Sequence, residues 1–158
     1  MARSEIRAYV PADRPSLIAT INTVCAEGRW METVQYEPTP AWEHALNKSD
    51  CTCHLLLVVV DEKRIVGWCR VFPDDASSAG LGIGLLSDYR EKGLGIALVQ
   101  NALEWARRRG LKRIHLRTRA DNTRAIRMFQ KFSFEFSGST ENGWMEMECC
   151  LINSKGQK

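Results

Sequence analysis

An α/β fold, with one mixed and largely antiparallel sheet of about six to seven strands and about four helices, is predicted by three stretches of this 158-residue chain. The almost unbroken apolar run Cys53–Val60 is followed by a polar turn and a second run, Ile65–Phe72, which reads as a hairpin at the sheet's centre. A glycine-rich strand, an amphipathic helix and another strand follow over residues 80–119, the order of a right-handed parallel crossover. Near the end, Asn142-Gly143 between two strand-like runs marks a second hairpin.

In chain order, Ile6–Val10 alternates as a strand and Pro11 ends it. A helix is expected from about Pro15 to Ala26, with Leu17, Ile18, Ile21 and Val24 at helical spacing and Asp13 as N-cap. Residues 27–40, EGRWMETVQYEPTP, form a loop or broken helix in which Glu27, Trp30, Glu32 and Tyr36 could line a pocket. Ala41–Asn47 is a short helix. Leu94–Arg109 carries Leu94, Leu98, Ala102, Trp105 and Ala106 on one stripe. Arg107, Arg108 and Arg109 before Gly110 are what a helix end requires, since cations there face the negative end of its dipole. Ile114, Leu116 and Thr118 alternate in a strand, Asn122–Lys131 is a helix, and Phe134–Gly138 and Trp144–Ile152 are strands. Residues 1–158 read as one domain, with a polar, frayed tail over 153–158.

A net charge of +3 does not imply nucleic acid. No apolar run reaches the length needed to span a bilayer, and the N-terminus lacks the apolar core of a signal peptide, so a cytoplasmic protein without a membrane partner is expected. None of the six cysteines falls in a C-x-x-C pair. Cys69, Cys149 and Cys150 sit in apolar runs as small hydrophobes. Cys51, Cys53 and His54 are metal-like, but no second cluster completes four ligands, so reduced thiols and no metal are expected.

Residues 80–97, GLGIGLLSDYREKGLGIA, hold the chemistry. Arg90, Gly93 and Gly95 form an RxxGxG pattern where a strand gives way to a helix. Unpartnered N–H groups at a helix start cradle phosphate, and glycine lets a ligand reach the backbone. A connection that merely has to bend would also need glycine. A second segment, Asn122, Ala125, Met128, Lys131 and Phe134, follows about thirty residues later.

Together these two segments resemble the signature turn and the NxxAxxLYxKxGF segment of the GNAT superfamily of acyl-CoA-dependent N-acetyltransferases, and the order of elements agrees from Ile6 to Leu151. The resemblance implies a GNAT-like sheet with a splayed parallel pair at its centre and acetyl-CoA as cosubstrate. The N–H groups of Glu91, Lys92, Gly93, Leu94 and Gly95 would hold the pyrophosphate, aided by Arg90 or Lys92. Leu85 and Leu86 would offer backbone groups to the pantetheine arm and an oxyanion donor, and Asn122 would bind the arm from the other side. Phe129 belongs to the same cofactor-binding segment but stands where the family often has a tyrosine general acid.

The implied reaction is attack of a primary amine on the thioester in a ternary complex. The amine is an ammonium near neutrality, with a reference pKa of ~10.4, so a base must take its proton. Leu81–Leu85 lacks the glutamate many members carry there, which shifts the role to Glu27 or Glu32, with Glu146 and Glu148 behind them. These carboxylates point to a small-molecule or peptide amine as acceptor. Ser133 replaces the usual glycine after the helix, where a Cβ costs of order 1 kcal/mol if φ is positive. A nucleotide dehydrogenase is excluded because GLGIAL at 93–98 does not complete GxGxxG. An acetyl-cysteine relay lacks a Cys–His pair near the turn. The competing reading is a CoA-binding sensor or partner subunit with weak catalysis, and an exposed edge on the terminal hairpin suits a homodimer.

Overall fold

A computed structural model describes residues 4–139 and 141–151. The expected tail over 153–158 and the end of the last strand at Ile152 lie outside the described residues. Seven strands form one sheet: β1 (Ser4–Ala8), β2 (Leu55–Asp61), β3 (Arg64–Pro73), β4 (Ser78–Leu85), β5 (Arg113–Arg119), β6 (Glu135–Ser139) and β7 (Trp144–Cys150). Their spatial order is β1-β2-β3-β4-β5-β7-β6. All neighbours are antiparallel except β4 and β5. Four helices cover it: α1 (Arg14–Ala26), α2 (Pro40–Asn47), α3 (Leu94–Arg108) and α4 (Thr123–Lys131).

The two faces of β2 explain its unbroken apolar run. Leu56 and Val58 pack with Leu17, Ile21, Val24 and Trp68 under α1 and α2, whereas Leu57 and Val59 pack with Leu98, Val99, Ala102 and Phe129 under α3 and α4. Each fully buried leucine or valine of this kind stabilises the fold by about 1.5–3 kcal/mol relative to exposure. The run is buried on both faces as expected, yet the central strand of the sheet is β4, because β1 and β3 flank β2.

Turn chemistry follows the sequence closely. Asn142 and Gly143 both take positive φ, 65° and 83°, in the short turn Glu141–Gly143 that joins β6 to β7, where Ser139 pairs with Met145. Gly110 ends α3 in the left-handed region, with its N–H on Arg107 O and the Leu111 N–H on Ala106 O. Arg107 and Arg108 are exposed in that last turn. Ser133 has φ 71°, so the serine does occupy a position that favours glycine.

Three expectations are corrected. Asp13 does not cap α1. Its carboxylate accepts from Arg7 at 2.7 and 2.9 Å and from the Val10 N–H at 2.9 Å, closing the short turn Pro11–Asp13 and tying β1 to it. Cys150 lies exposed on β7 rather than inside, because it alternates with the buried Cys149. Cys51 and Cys53, expected as thiols, are joined by a disulfide. Among the described residues no helix is long and apolar enough to cross a membrane.

Candidate active site

β4 and β5 pair only over Ser78–Gly80 against Arg113–His115 and then separate. A cavity of about 1060 Å³ opens over this fork and reaches both faces of the sheet. On one side its wall is Gly93, Gly95, Asn122, Ala125 and Phe129, from the starts of α3 and α4 and from α4 itself. On the other it is Trp30, Glu32, Tyr36, Trp42, Arg70 and Phe72.

The alternation of an antiparallel pair decides which backbone groups of β4 face the fork. Leu86 donates its N–H to Val66 O at 2.9 Å, toward β3. The N–H of Leu85, one step earlier opposite Gly67, therefore points the other way, where β5 has diverged. Leu85 is on the cavity wall and Leu86 is not. The Leu86 carbonyl is also engaged, by the Tyr89 N–H. Of the two donors expected from sequence, the geometry leaves Leu85 available and commits Leu86 to the fold.

The glycines of β4 have a purpose that spacing alone does not reveal. Gly80, Gly82 and Gly84 lie opposite Phe72, Arg70 and Trp68 on β3. A Cβ at Gly84 would meet Trp68 Cη2 at 2.3 Å, and one at Gly80 would meet Phe72 Cζ at 2.8 Å. The missing side chains let these larger groups lie across β4 and build the cavity wall beneath α1 and α2.

At the start of α3, Glu91 and Gly93 adopt positive φ, 62° and 85°. Gly93 is the N-cap residue and no side chain caps the helix, so its first-turn N–H groups point outward at the positive end of its dipole. Gly95 lies on the wall, where a Cβ would stand 3.0 Å from Met128 Sδ. Lys92 and Leu94 are off the wall. Positive charge comes instead from Arg124, Arg127 and Lys131 on α4, all three lining the cavity, with Arg124 paired to Glu91. Sequence reasoning assigned no role to that basic side of α4, although its spacing of three and four residues was legible.

Arg90 departs from the expectation that it supplies charge to a phosphate. Its Nη1 and Nη2 donate to the two carboxylate oxygens of Glu27 at 3.0 and 2.7 Å, and its Nε donates to Leu85 O at 3.0 Å. The Arg90 guanidinium beside Glu27 holds that carboxyl below its ordinary value despite partial burial, and Trp30 Nε1 donates to it at 3.0 Å. A carboxylate so stabilised is a weak proton acceptor, and Glu27 is not on the cavity wall. Glu32 is on the wall, half-exposed and 2.7 Å from Arg117 of β5. Glu148 pairs with Arg113 across the strands, and neither it nor Glu146 lines the cavity.

Asn122 lines the cavity as expected, but its side-chain oxygen caps α4 by accepting the Ala125 N–H at 3.3 Å. Its amide nitrogen is what it can offer a ligand. Phe129 is buried at the wall, edge-on to Phe134. Cys25 reaches the wall with its sulfur 3.7 Å from the Thr33 hydroxyl, and burial pushes the Cys69 thiol up to about 12.

Three groups on the α1–α2 side, Arg70, His115 and Arg117, escaped the sequence reading, and Tyr36, expected to line a pocket, stands with them on the wall. Arg70 sits between the Trp42 and Phe72 rings, 4.2 Å from each centroid, and burial lowers its pKa to about 10. Among the described residues no carboxylate is paired with it. Tyr36 donates to Glu43 at 2.6 Å, and burial followed by that carboxylate raises its pKa. His115 lines the cavity beside Asp74. Arg117 holds Glu32 in place. Only the fold brings these residues together, from β3, β5 and the 27–40 segment.

The family model described as the Acetyltransferase (GNAT) family matches residues 18–134. Over 60 residues, 38% of this chain, the sequence is 33% identical to an uncharacterized N-acetyltransferase of Methanocaldococcus jannaschii. Over 83 residues, 51% of this chain, it is 31% identical to the mycothiol acetyltransferase of Jonesia denitrificans. Each match spans 26% of the relative's own length. Among solved structures, an acetyltransferase of the GNAT family from Streptococcus pneumoniae superposes with a TM-score of 0.81 at 24% identity, over 94% of this chain and 99% of that one. A putative acetyltransferase from Salmonella typhimurium with its cofactor acetyl-CoA superposes with a TM-score of 0.79 at 15% identity, over 99% and 98% of the two chains.

Proposed function

The chain belongs to the GNAT acetyltransferase family, and from that premise we propose that it transfers the acetyl group of acetyl-CoA to a primary amine by direct attack in a ternary complex. The observation that carries the proposal is the fork between β4 and β5 beside the uncapped start of α3, since one cavity then joins an anion cradle to an open strand edge. In this reading the N–H groups from Glu91 to Gly95 take the pyrophosphate, with Arg127 and Lys131 supplying charge from α4. The fork-facing edge of β4 pairs with the amides of the pantetheine arm, and the Asn122 amide nitrogen meets it from α4. The Leu85 N–H is the donor for the developing oxyanion.

Proton transfer falls to Glu32, the one of the two favoured carboxylates that reaches the cavity, directly or through water. Glu27 becomes a positioning residue, acting through Arg90 on the carbonyl of Leu85. Phe129 has no hydroxyl, so the leaving thiolate, with a thiol pKa of ~8.5, takes its proton from water.

The acceptor enters from the α1–α2 side. Glu27, Glu32 and Glu148 are each ion-paired, which leaves Glu37 as the cavity-lining carboxylate of that side without an ion pair among the described residues. Arg70 is the cation of that side without a carboxylate partner among the described residues, framed by two aromatic rings. It favours an acceptor that bears a carboxylate or similar anion besides its amine, as amino acids and peptides do.

Thiol release measured over a panel of amines with and without a carboxylate tests both parts. Absence of thiol release with every amine of the panel, alongside calorimetric binding of CoA, would favour the sensor or partner-subunit reading, which the ion-paired carboxylates and Phe129 support. A cytoplasmic, single-domain protein that needs neither nucleic acid nor membrane fits this chemistry. A homodimer would use β6, an edge strand that carries Phe136 at 50% exposure.

A further inference from the structure

Away from the cavity, four donor atoms of the metal-binding type converge at the junction of α2 and β2. His44 in the last turn of α2 meets Cys51, Cys53 and His54 of the segment leading into β2, and all four donor atoms lie within 4.8 Å of one another. His44 Nε2 is 3.1 Å from Cys53 Sγ, and Cys53 Sγ is 3.5 Å from His54 Nδ1. Around a tetrahedral zinc ion, with bonds of about 2.0–2.3 Å, neighbouring donors stand about 3.3–3.8 Å apart. The ligand that sequence reading could not find is thus His44, seven residues before Cys51 and brought into place by the α2 turn.

We propose that, in its thiol form, the chain binds one zinc ion through His44 Nε2, Cys51 Sγ, Cys53 Sγ and His54 Nδ1, as a structural clasp between α2 and β2. Two thiolates and two imidazoles are the donor set that selects zinc among the common divalent ions. Four protein ligands leave no open position, which makes the site structural. The loop is already shaped for it. Lys48 donates its N–H to His44 O at 2.8 Å, Cys51 to Lys48 O at 3.0 Å, and the Cys53 N–H to Cys51 Sγ at 3.1 Å, the kind of outer contact that orients a sulfur ligand.

The Cys51–Cys53 disulfide is the oxidised form of the same pair. A thiol reductant splits it into two thiols and forms its own disulfide. Zinc then displaces one proton from each thiol, so two protons are released per ion bound and the site is neutral overall. A disulfide across one intervening residue closes too short a loop to restrain much of the chain. A metal ion instead fastens residue 44 to residue 54, and with them the helix that carries Trp42 to the cavity wall.

The test uses the full chain, reduced and purified without chelator, with metal content measured after zinc addition and removal of excess. One ion per chain is expected. Cobalt in its place should show thiolate charge transfer and the strong visible bands of a tetrahedral ion. Cys51→Ser or Cys53→Ser should abolish the charge-transfer signal or reduce it by half, and His44→Ala should weaken binding at least ~10-fold. CoA binding, retained by the variants, reports that they fold. X-ray absorption of the zinc-loaded wild type gives an answer that needs no variant, with two sulfur and two nitrogen neighbours expected. Failure of the reduced wild type to retain metal, charge-transfer bands that survive loss of both cysteines, or a zinc shell without sulfur would each overturn the proposal.

Discussion

Arg90 and Glu27 form a two-point ion pair that joins the end of α1 to the end of β4, with the third guanidinium nitrogen of Arg90 on the carbonyl of Leu85. The arginine of the RxxGxG pattern is therefore spent on architecture. Glu27→Gln should weaken the pair and shift the Leu85 backbone. The expected result is a drop in kcat of about 3- to 10-fold, since a lost hydrogen bond to a charged group is worth roughly 1 kcal/mol, with the pH profile unchanged in shape. Loss of a basic limb in the profile would instead make Glu27 the base.

Glu32→Gln should act differently. Removal of a general base costs on the order of 10²–10⁴-fold in kcat, with the KM for acetyl-CoA unmoved. Steady-state kinetics across pH measure both. Unchanged kcat would transfer the role to Glu37 or His115, which also line the cavity.

Gly95 separates a tight contact from a blocked site. Gly95→Ala places its Cβ 3.0 Å from Met128 Sδ, at the movable end of a flexible side chain, so CoA affinity should fall by less than about 10-fold. Gly95→Trp cannot be accommodated that way and should abolish CoA binding by calorimetry while the circular dichroism stays helical.

Ser133 holds φ 71° without being glycine. Ser133→Gly relieves about 1–2 kcal/mol of left-handed strain and costs part of that in unfolded-chain entropy, for a net gain of roughly 0.5–1 kcal/mol. The gain should read as a rise in the denaturant midpoint at unchanged slope.

Asp13 gives the fold an acid-sensitive tie. Hydrogen bonding to Arg7 and to the Val10 N–H holds its carboxyl below the ordinary value. On acidification the unfolded chain therefore takes up the proton first. The stabilisation is complete above the unfolded carboxylate pKa of ~3.9 and is lost as pH falls through the lower folded value. Asp13→Asn should cost about 1–3 kcal/mol at neutral pH, and the difference from wild type should shrink through that acid range in denaturant titrations.

The order of elements, the crossover, both hairpins and the C-terminal end of α3 were legible because each rests on local rules: periodicity, turn residues with positive φ, and cations before a terminal glycine. The glycine turn at the start of α3 was legible for the same reason. What escaped was pairing over distance. Arg90 with Glu27, Glu32 with Arg117 and Arg70 with Trp42 join residues 28 to 85 positions apart, and no spacing rule announces them. The glycines of β4 had no role of their own in the sequence, whereas register against β3 makes Gly80 and Gly84 room for Phe72 and Trp68. His44 belongs to the same class, since a helical turn and a loop had to meet before four donors could be counted.

Only three rungs stitch β1-β2-β3-β4 to β5-β7-β6. Mechanically the sheet is two blades riveted at one end, and their cohesion at the other is left to whatever lies between them. A substrate arm bonded to the free edge of β4 would stiffen the molecule across that seam. Binding free energy would then reappear as rigidity, with amide exchange slowing in β5 and the last residues of β4 before it slows in β2.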